Sequence, residues 1–248
     1  MNDRMRPLSL YAQIARTYAK WAPSLLLLAV VVFVPVGLVH TIAIHPDIEA
    51  LNLDGVLTIL GVMLALMALA VTGLLGEVFY TGAVAISLTH PRDGRPPSLR
   101  EIAAMVKYRR LIAIDLVYGV VVAIGLVLLL VPGIAAFVWF ALAAPVVEIE
   151  GRGVRDAFAR SVQLIRGKFW IVFAVLAPIE LLGDGITSLA TEIAHDLLGE
   201  TFLSEWLADV LSNLAFTPFY AVAAVLITVG LIREKDGGGA ELHSEPHR

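Results

Sequence analysis

The 248-residue chain is 58% hydrophobic and 16% charged, with a mean hydropathy of +0.83 and a formal net charge of −4. Soluble domains lie near roughly 45–50% apolar and about 25% charged, so the composition excludes an ordinary soluble domain and points to an integral membrane protein. The absence of cysteine excludes disulfide frameworks and thiolate metal sites.

Residues 1–22 carry Arg4, Arg6, Arg16 and Lys20 ahead of the first apolar run. Leu10, Tyr11, Ile14, Ala15, Tyr18 and Trp21 share one face opposite Gln13, Arg16, Thr17 and Lys20, which predicts a short interfacial helix. The first span is expected from Pro23 to about Ile44. A secretory signal peptide is the competing reading, but no small-x-small cleavage site follows the apolar core. A polar connection, His40 to Asp54, comes next. The apolar stretch Gly55 to Leu88 is too long for one straight crossing, since 34 residues reach about 50 Å as helix. It tilts and extends past the membrane, or it breaks at Gly73 and Gly76.

Residues 90–110 form a basic loop with a second amphipathic piece, in which Leu99, Ile102, Ala103 and Val106 share a face. The third and fourth spans, Leu111 to Val131 and Ile134 to Ile149, are separated by Pro132-Gly133, a pair that favours a tight turn. From Val154 the apolar residues Ala157, Phe158, Ser161, Val162, Ile165 and Phe169 keep helical spacing, opposite Arg152, Arg155, Asp156, Arg160, Gln163 and Arg166. Such a helix lies in the bilayer interface, or it is a solvated helix capping the bundle. Gly167 ends it, and Phe169-Trp170 opens a fifth span running to about Leu189. An acidic segment, Thr191 to Asp209, leads to the sixth span, Leu211 to Ile232. The division expected is a transmembrane domain over residues 1–233 and a disordered cytoplasmic tail over 234–248.

Charge sets the orientation. Four Lys and Arg precede the first span, six lie in residues 90–110, five in 151–168 and three after Ile232, which accounts for all 18. Cations mark the cytoplasmic side. The fold predicted is therefore all-α and polytopic: six transmembrane helices, three basic amphipathic interfacial helices on the cytoplasmic side, and both termini inside. The segments beginning at Ser9, Ser98 and Gly153 form a weak repeat, each placing a basic amphipathic helix before an outward-going span.

No catalytic signature is present: neither HExxH, GxSxG, GxxxxGK[ST] nor a GxGxxG opening a helix after a strand occurs. No catalytic residue, cofactor, metal site or nucleic-acid partner is expected. His40, His45 and Asp47 suggest an outer metal site only weakly, and solvated loop residues are the simpler reading. The candidates for a polar site are the intramembrane carboxylates Glu77, Asp115, Glu180 and Asp184. Asp115 lies near Lys107, Arg109 and Arg110, which suggests an interface ion pair, and the basic loops are expected to reach Glu77 also. Glu180 stands about 16 Å along the fifth span from Phe169, where no Lys or Arg reaches. It is then protonated, hydrogen-bonded across helices, or facing a wet cavity that the carbonyl freed by Pro178 helps to line; alternatively, the helix ends early and leaves it in the outer interface. Arg155, Arg160, Arg166 and Lys168 are the candidate contacts to anionic lipid head groups.

The phrase LVPGI, the span ending APVVEIEGRG and the helix AFARSVQLIRGKFW resemble the bacterial glycerophosphoryl diester phosphodiesterase membrane domain family. Pro132, Gly133, Glu150, Gly151, Arg160, Ser161, Leu164, Gly167 and Trp170 carry the likeness, with Gly82, Gly94, Arg95 and Arg233 adding to it; the Asp of the family's closing Asp-Leu-Arg phrase is missing. The resemblance implies a multi-pass domain of the bacterial plasma (inner) membrane. It implies no activity, because the phosphodiesterase domain found beside it in some members has no counterpart in this sequence. The expected function is a non-enzymatic, lipid-associated scaffold or envelope-organising module, with a small transporter or channel using Glu180 as the alternative.

Overall fold

The structure is a computed structural model that describes residues 7–44, 76–91, 95–128 and 130–237. It is all-helical over those residues. The elements are α1 (Pro7–Ile44), α2 (helical over residues 76–89), α3 (Leu99–Met105), α4 (Tyr108–Leu128), α5 (Leu130–Phe140), α6 (Ala143–Glu150), α7 (Val154–Ile165), α8 (Phe169–Leu198) and α9 (Phe202–Asp236). Among the described residues, four stretches are long and apolar enough to cross a bilayer: Pro7–Thr41, Val131–Glu150, Phe169–Leu198 and Phe202–Asp236. The protein is a helical membrane protein.

Helix α9 is the axis of the bundle. Its inner half, Ala221-Val-Ala-Ala-Val-Leu-Ile-Thr-Val229, is buried throughout, as expected of a helix apolar on every side. Helix α1 runs antiparallel to it: Tyr18 stacks on Phe219 at a centroid distance of 4.1 Å, and Trp206 Nε1 donates to the Val34 carbonyl at 3.2 Å. Helix α8 is antiparallel on another side, with Lys168 against Glu234 at one end and His195 against Glu205 at the other. Leu26, Leu27, Val30, Val31, Leu38 and Val39 of α1 stay exposed, as do Ile112, Leu116 and Val121 of α4 and Leu181, Leu182, Leu189, Ile193 and Leu197 of α8. A girdle of this extent has hydrocarbon as its natural solvent.

Several expected boundaries move. The N-terminal amphipathic piece is not a separate interfacial helix. It is the first part of α1, because nothing before Pro23 breaks the helix and Leu10, Ile14 and Trp21 are already buried against the bundle. In α3, Ile102 and the following Val106 are buried but Ala103 is exposed. Ser98 and Glu101 close a capping box at its start. Pro132 and Gly133 are not the turn between the third and fourth spans; they stand in the first turn of α5, where proline costs no hydrogen bond. Their role is close packing: a Cβ on Gly125 would lie 2.8 Å from Gly133 Cα and 2.9 Å from Gly133 N. So close an approach, with no room for a side chain at Gly125, joins α4 and α5 as an antiparallel pair, and Tyr118 Oη donates to the Phe137 carbonyl at 3.4 Å.

The fourth span is itself interrupted. Residues 141–142 form a turn between α5 and α6, because Pro145 has no N–H to give to the Ala141 carbonyl. The fifth helix does not end at about Leu189, and the acidic segment Thr191–Asp209 is largely helical: α8 runs on to Leu198, and α9 starts at Phe202 behind a Thr201–Ser204 capping box. The sixth helix likewise continues to Asp236, so residues 234–236 are helical. His45, Asp47, Glu49, Asp54, Gly73, Gly94 and residues 238–248 lie outside the described residues.

Candidate functional site

The ion pairs of the described Lys and Arg gather at one end of the bundle. At one end Lys107 Nζ meets Glu148 Oε2 at 3.0 Å, and the Lys107 backbone N–H donates to Glu148 Oε1 at 2.9 Å. Arg110 donates to the carbonyls of Gly151 (2.8 Å) and Arg152 (3.2 Å). Glu150 gathers Arg152 and Arg160, and Arg160 also pairs with Asp236. Lys168 meets Glu234 at 2.7 Å, while Lys235 donates to the Gln163 and Arg166 carbonyls. This lattice ties α4, α6, α7, α8 and α9 together. Gly151 and Gly167, at φ +70° and +85°, make the left-handed turns that aim α7 back across it.

The lattice changes the reading of the basic helix. Ala157, Ser161, Leu164 and Ile165 of α7 are buried in the protein, so its apolar stripe faces the bundle. Of the four expected lipid contacts, Arg160 and Lys168 are committed to the protein's own carboxylates. Burial alone would lower the Arg160 guanidinium pKa, but its bonds to Glu150 and Asp236 outweigh that and raise it. Arg155 and Arg166 are exposed, as is Trp170 (74%).

The opposite end holds His40 against Asp209 at 3.5 Å and no Lys or Arg among the described residues. Between the ends, the structure joins candidates that lie far apart in sequence. Glu77 from α2, Glu180 and Asp184 from α8, and Ser212, Asn213, Thr217 and Tyr220 from α9 line one small cavity of about 50 Å³. Among the described residues no Lys or Arg lines it. Ser212 is 4% exposed and its Oγ has no hydrogen-bond partner among the described residues, leaving a donor and acceptor free at the cavity wall. Glu77 and Tyr220 also line a second cavity of about 20 Å³, together with Thr81, Tyr118, Phe140, Ala141 and Ala144. That cavity reaches the break between α5 and α6. A run of polar groups thus leads from Asp184 to an interrupted helix, the kind of place where transporters put non-helical backbone.

Three expectations about these carboxylates are corrected. Glu77 borders the same cavity as Glu180 and Asp184, and no Lys or Arg of the basic loops lines it. Asp115 forms no ion pair with Lys107, Arg109 or Arg110: Lys107 is taken by Glu148, Arg110 by backbone carbonyls, and Arg109 is exposed. Pro178 does free the Ala174 carbonyl, but Tyr11 Oη on α1 donates to it at 2.8 Å, so it does not line the cavity. Sequence reading missed Tyr118, Ser212, Asn213, Thr217 and Tyr220. The one available signal was Pro145 inside an apolar run. Among the described residues no three of His, Cys, Asp and Glu converge closely enough to hold a metal ion.

No family model, no curated protein and no solved structure matches the chain.

Proposed function

We propose that this is a six-span membrane protein in which the Glu77–Glu180–Asp184 cavity is a proton- or cation-linked site of a small transporter or channel. The supporting observation is the meeting of carboxylates from α2 and α8 at one small polar cavity that no cation lines among the described residues. Ionisable groups at this depth are costly in hydrocarbon and mark pathways or relays by default. The broken fourth span at the adjoining cavity agrees with that role. In this reading α1, the stretch ending in α2, α4, α5 with α6, α8 and α9 are the six crossings. The cation-rich end and both termini face the cytoplasm, and the membrane is a bacterial plasma membrane. Proton flux into proteoliposomes carrying an internal pH dye tests the reading. Glu180→Gln and Glu77→Gln each reduce the flux at least tenfold; flux equal to that of empty vesicles, or unchanged in both variants, removes it.

A second reading is the non-enzymatic, lipid-associated scaffold. It is favoured by the exposed Arg155, Arg166 and Trp170 at the cation-rich end. Arg and Trp at a bilayer surface contact anionic head groups and the interface. Native mass spectrometry separates the two: anionic lipid retained by the wild-type chain and lost in Arg155→Gln/Arg166→Gln supports the scaffold, and unchanged retention counts against it. Membership of the family that the Pro-Gly and Arg-Ser phrases resemble is proposed on those residues alone.

A further inference from the structure

A third, larger cavity lies between α1, α2 and α4. Val31, Val32, Pro35, Val36 and Val39 of α1, Phe79 of α2, and Tyr108, Leu111, Ile112 and Asp115 of α4 line a cavity of about 460 Å³ that opens on the bundle's outer face, where Val31, Val39 and Ile112 are exposed. The lining is aliphatic and aromatic apart from the Tyr108 hydroxyl and one carboxyl group. Asp115 is 3% exposed, and among the described residues neither Oδ1 nor Oδ2 has a hydrogen-bond partner. The cations expected to neutralise it are engaged elsewhere or exposed: Lys107 with Glu148, Arg110 with the Gly151 and Arg152 carbonyls.

A buried carboxylate ion without partner is unfavourable unless it takes up a proton or something supplies donors or positive charge. The walls supply neither. A ligand that did so would also have to cover the apolar lining, as in pockets where a few polar groups orient an apolar body. We propose that this cavity binds a hydrophobic amine, an apolar chain or ring carrying one ammonium, with the ammonium on Asp115 and the apolar body between α1 and α4. An acyl chain alone would fill the volume but leave both oxygens of Asp115 unpaired. The site shares no lining residue with the Glu77–Glu180 cavity.

Calorimetric titration of the full chain in nanodiscs with octylamine, and separately with octan-1-ol, tests this. The expected result is saturable binding of one octylamine, at least tenfold weaker binding of octanol, and at least tenfold loss of octylamine affinity in Asp115→Asn. Val39→Trp, which fills the cavity mouth from an exposed position, weakens octylamine to the same degree while circular dichroism remains that of the wild type. Octylamine binding unchanged in Asp115→Asn, octanol bound as tightly as octylamine (an acyl-chain site), or no saturable binding at all overturns the proposal. If Asp115→Asn does not fold, Val39→Trp together with the amine-to-alcohol ratio on the wild-type chain decides it.

Discussion

Removing the Tyr11 hydroxyl isolates a single interhelical bond. Pro178 deprives the Ala174 carbonyl of its intrahelical donor, and Tyr11 Oη replaces that donor at 2.8 Å, reaching the Val175 carbonyl at 3.3 Å as well. A neutral hydrogen bond contributes about 0.5–1.5 kcal/mol net, and interhelical bonds in bilayers average about 0.6 with a maximum near about 1.7. Tyr11→Phe leaves an acceptor with no other donor on α8, which puts its cost in the upper part of that range, about 1–1.5 kcal/mol. That is roughly tenfold in the unfolding constant. The measurement is reversible unfolding in mixed micelles followed by circular dichroism, run as a cycle with Pro178→Ala. Alanine at 178 restores an N–H to the Ala174 carbonyl, so the cost of Tyr11→Phe falls by about 1 kcal/mol in that background. An equal cost in both backgrounds, or no cost in the wild type, refutes the pairing of a proline-freed carbonyl with a phenol from α1.

Gly125→Ala drives a Cβ into the backbone of Pro132 and Gly133 and costs about 1–3 kcal/mol in the same assay. Gly185→Ala meets nothing within 4 Å and stays within about 0.5 kcal/mol of the wild type. Lys107→Met strands the Glu148 side chain, which is 1% exposed. Breaking a buried pair costs about 3–5 kcal/mol, reduced here to roughly 2 because Lys107 is one-third exposed and its backbone N–H still serves Glu148. The chain has no cysteine, so single cysteines report sidedness without background. In intact cells, a membrane-impermeant maleimide labels Glu200→Cys and leaves Arg155→Cys unlabelled; the reverse pattern inverts the topology.

Composition and charge placement determined the class of this protein and the polarity of its bundle. Runs of Leu, Val and Ala of this length fit no solvent but hydrocarbon, and all 18 cations fall in four segments whatever the helices do between them. The stripe of α7 was legible for the same reason, since the period of a helix is local, and Ala157, Ser161 and Ile165 are buried as their spacing required. Which protein surface covers that stripe was not local.

The sites depend on which helices become neighbours. Glu77 and Glu180 are over a hundred residues apart, and only the tertiary fold places them at one cavity. Proline shows the limit most clearly. The sequence says that Pro178 and Pro145 each release a carbonyl, because the ring has no N–H. Whether that carbonyl is claimed by a side chain from another helix, as Tyr11 claims Ala174, or lies at a break beside a small cavity, as at Ala141, is a question of distance across the bundle. Asp115 follows the same rule: its nearest cations in sequence found partners elsewhere, and tertiary packing left it in an apolar space with no partner among the described residues.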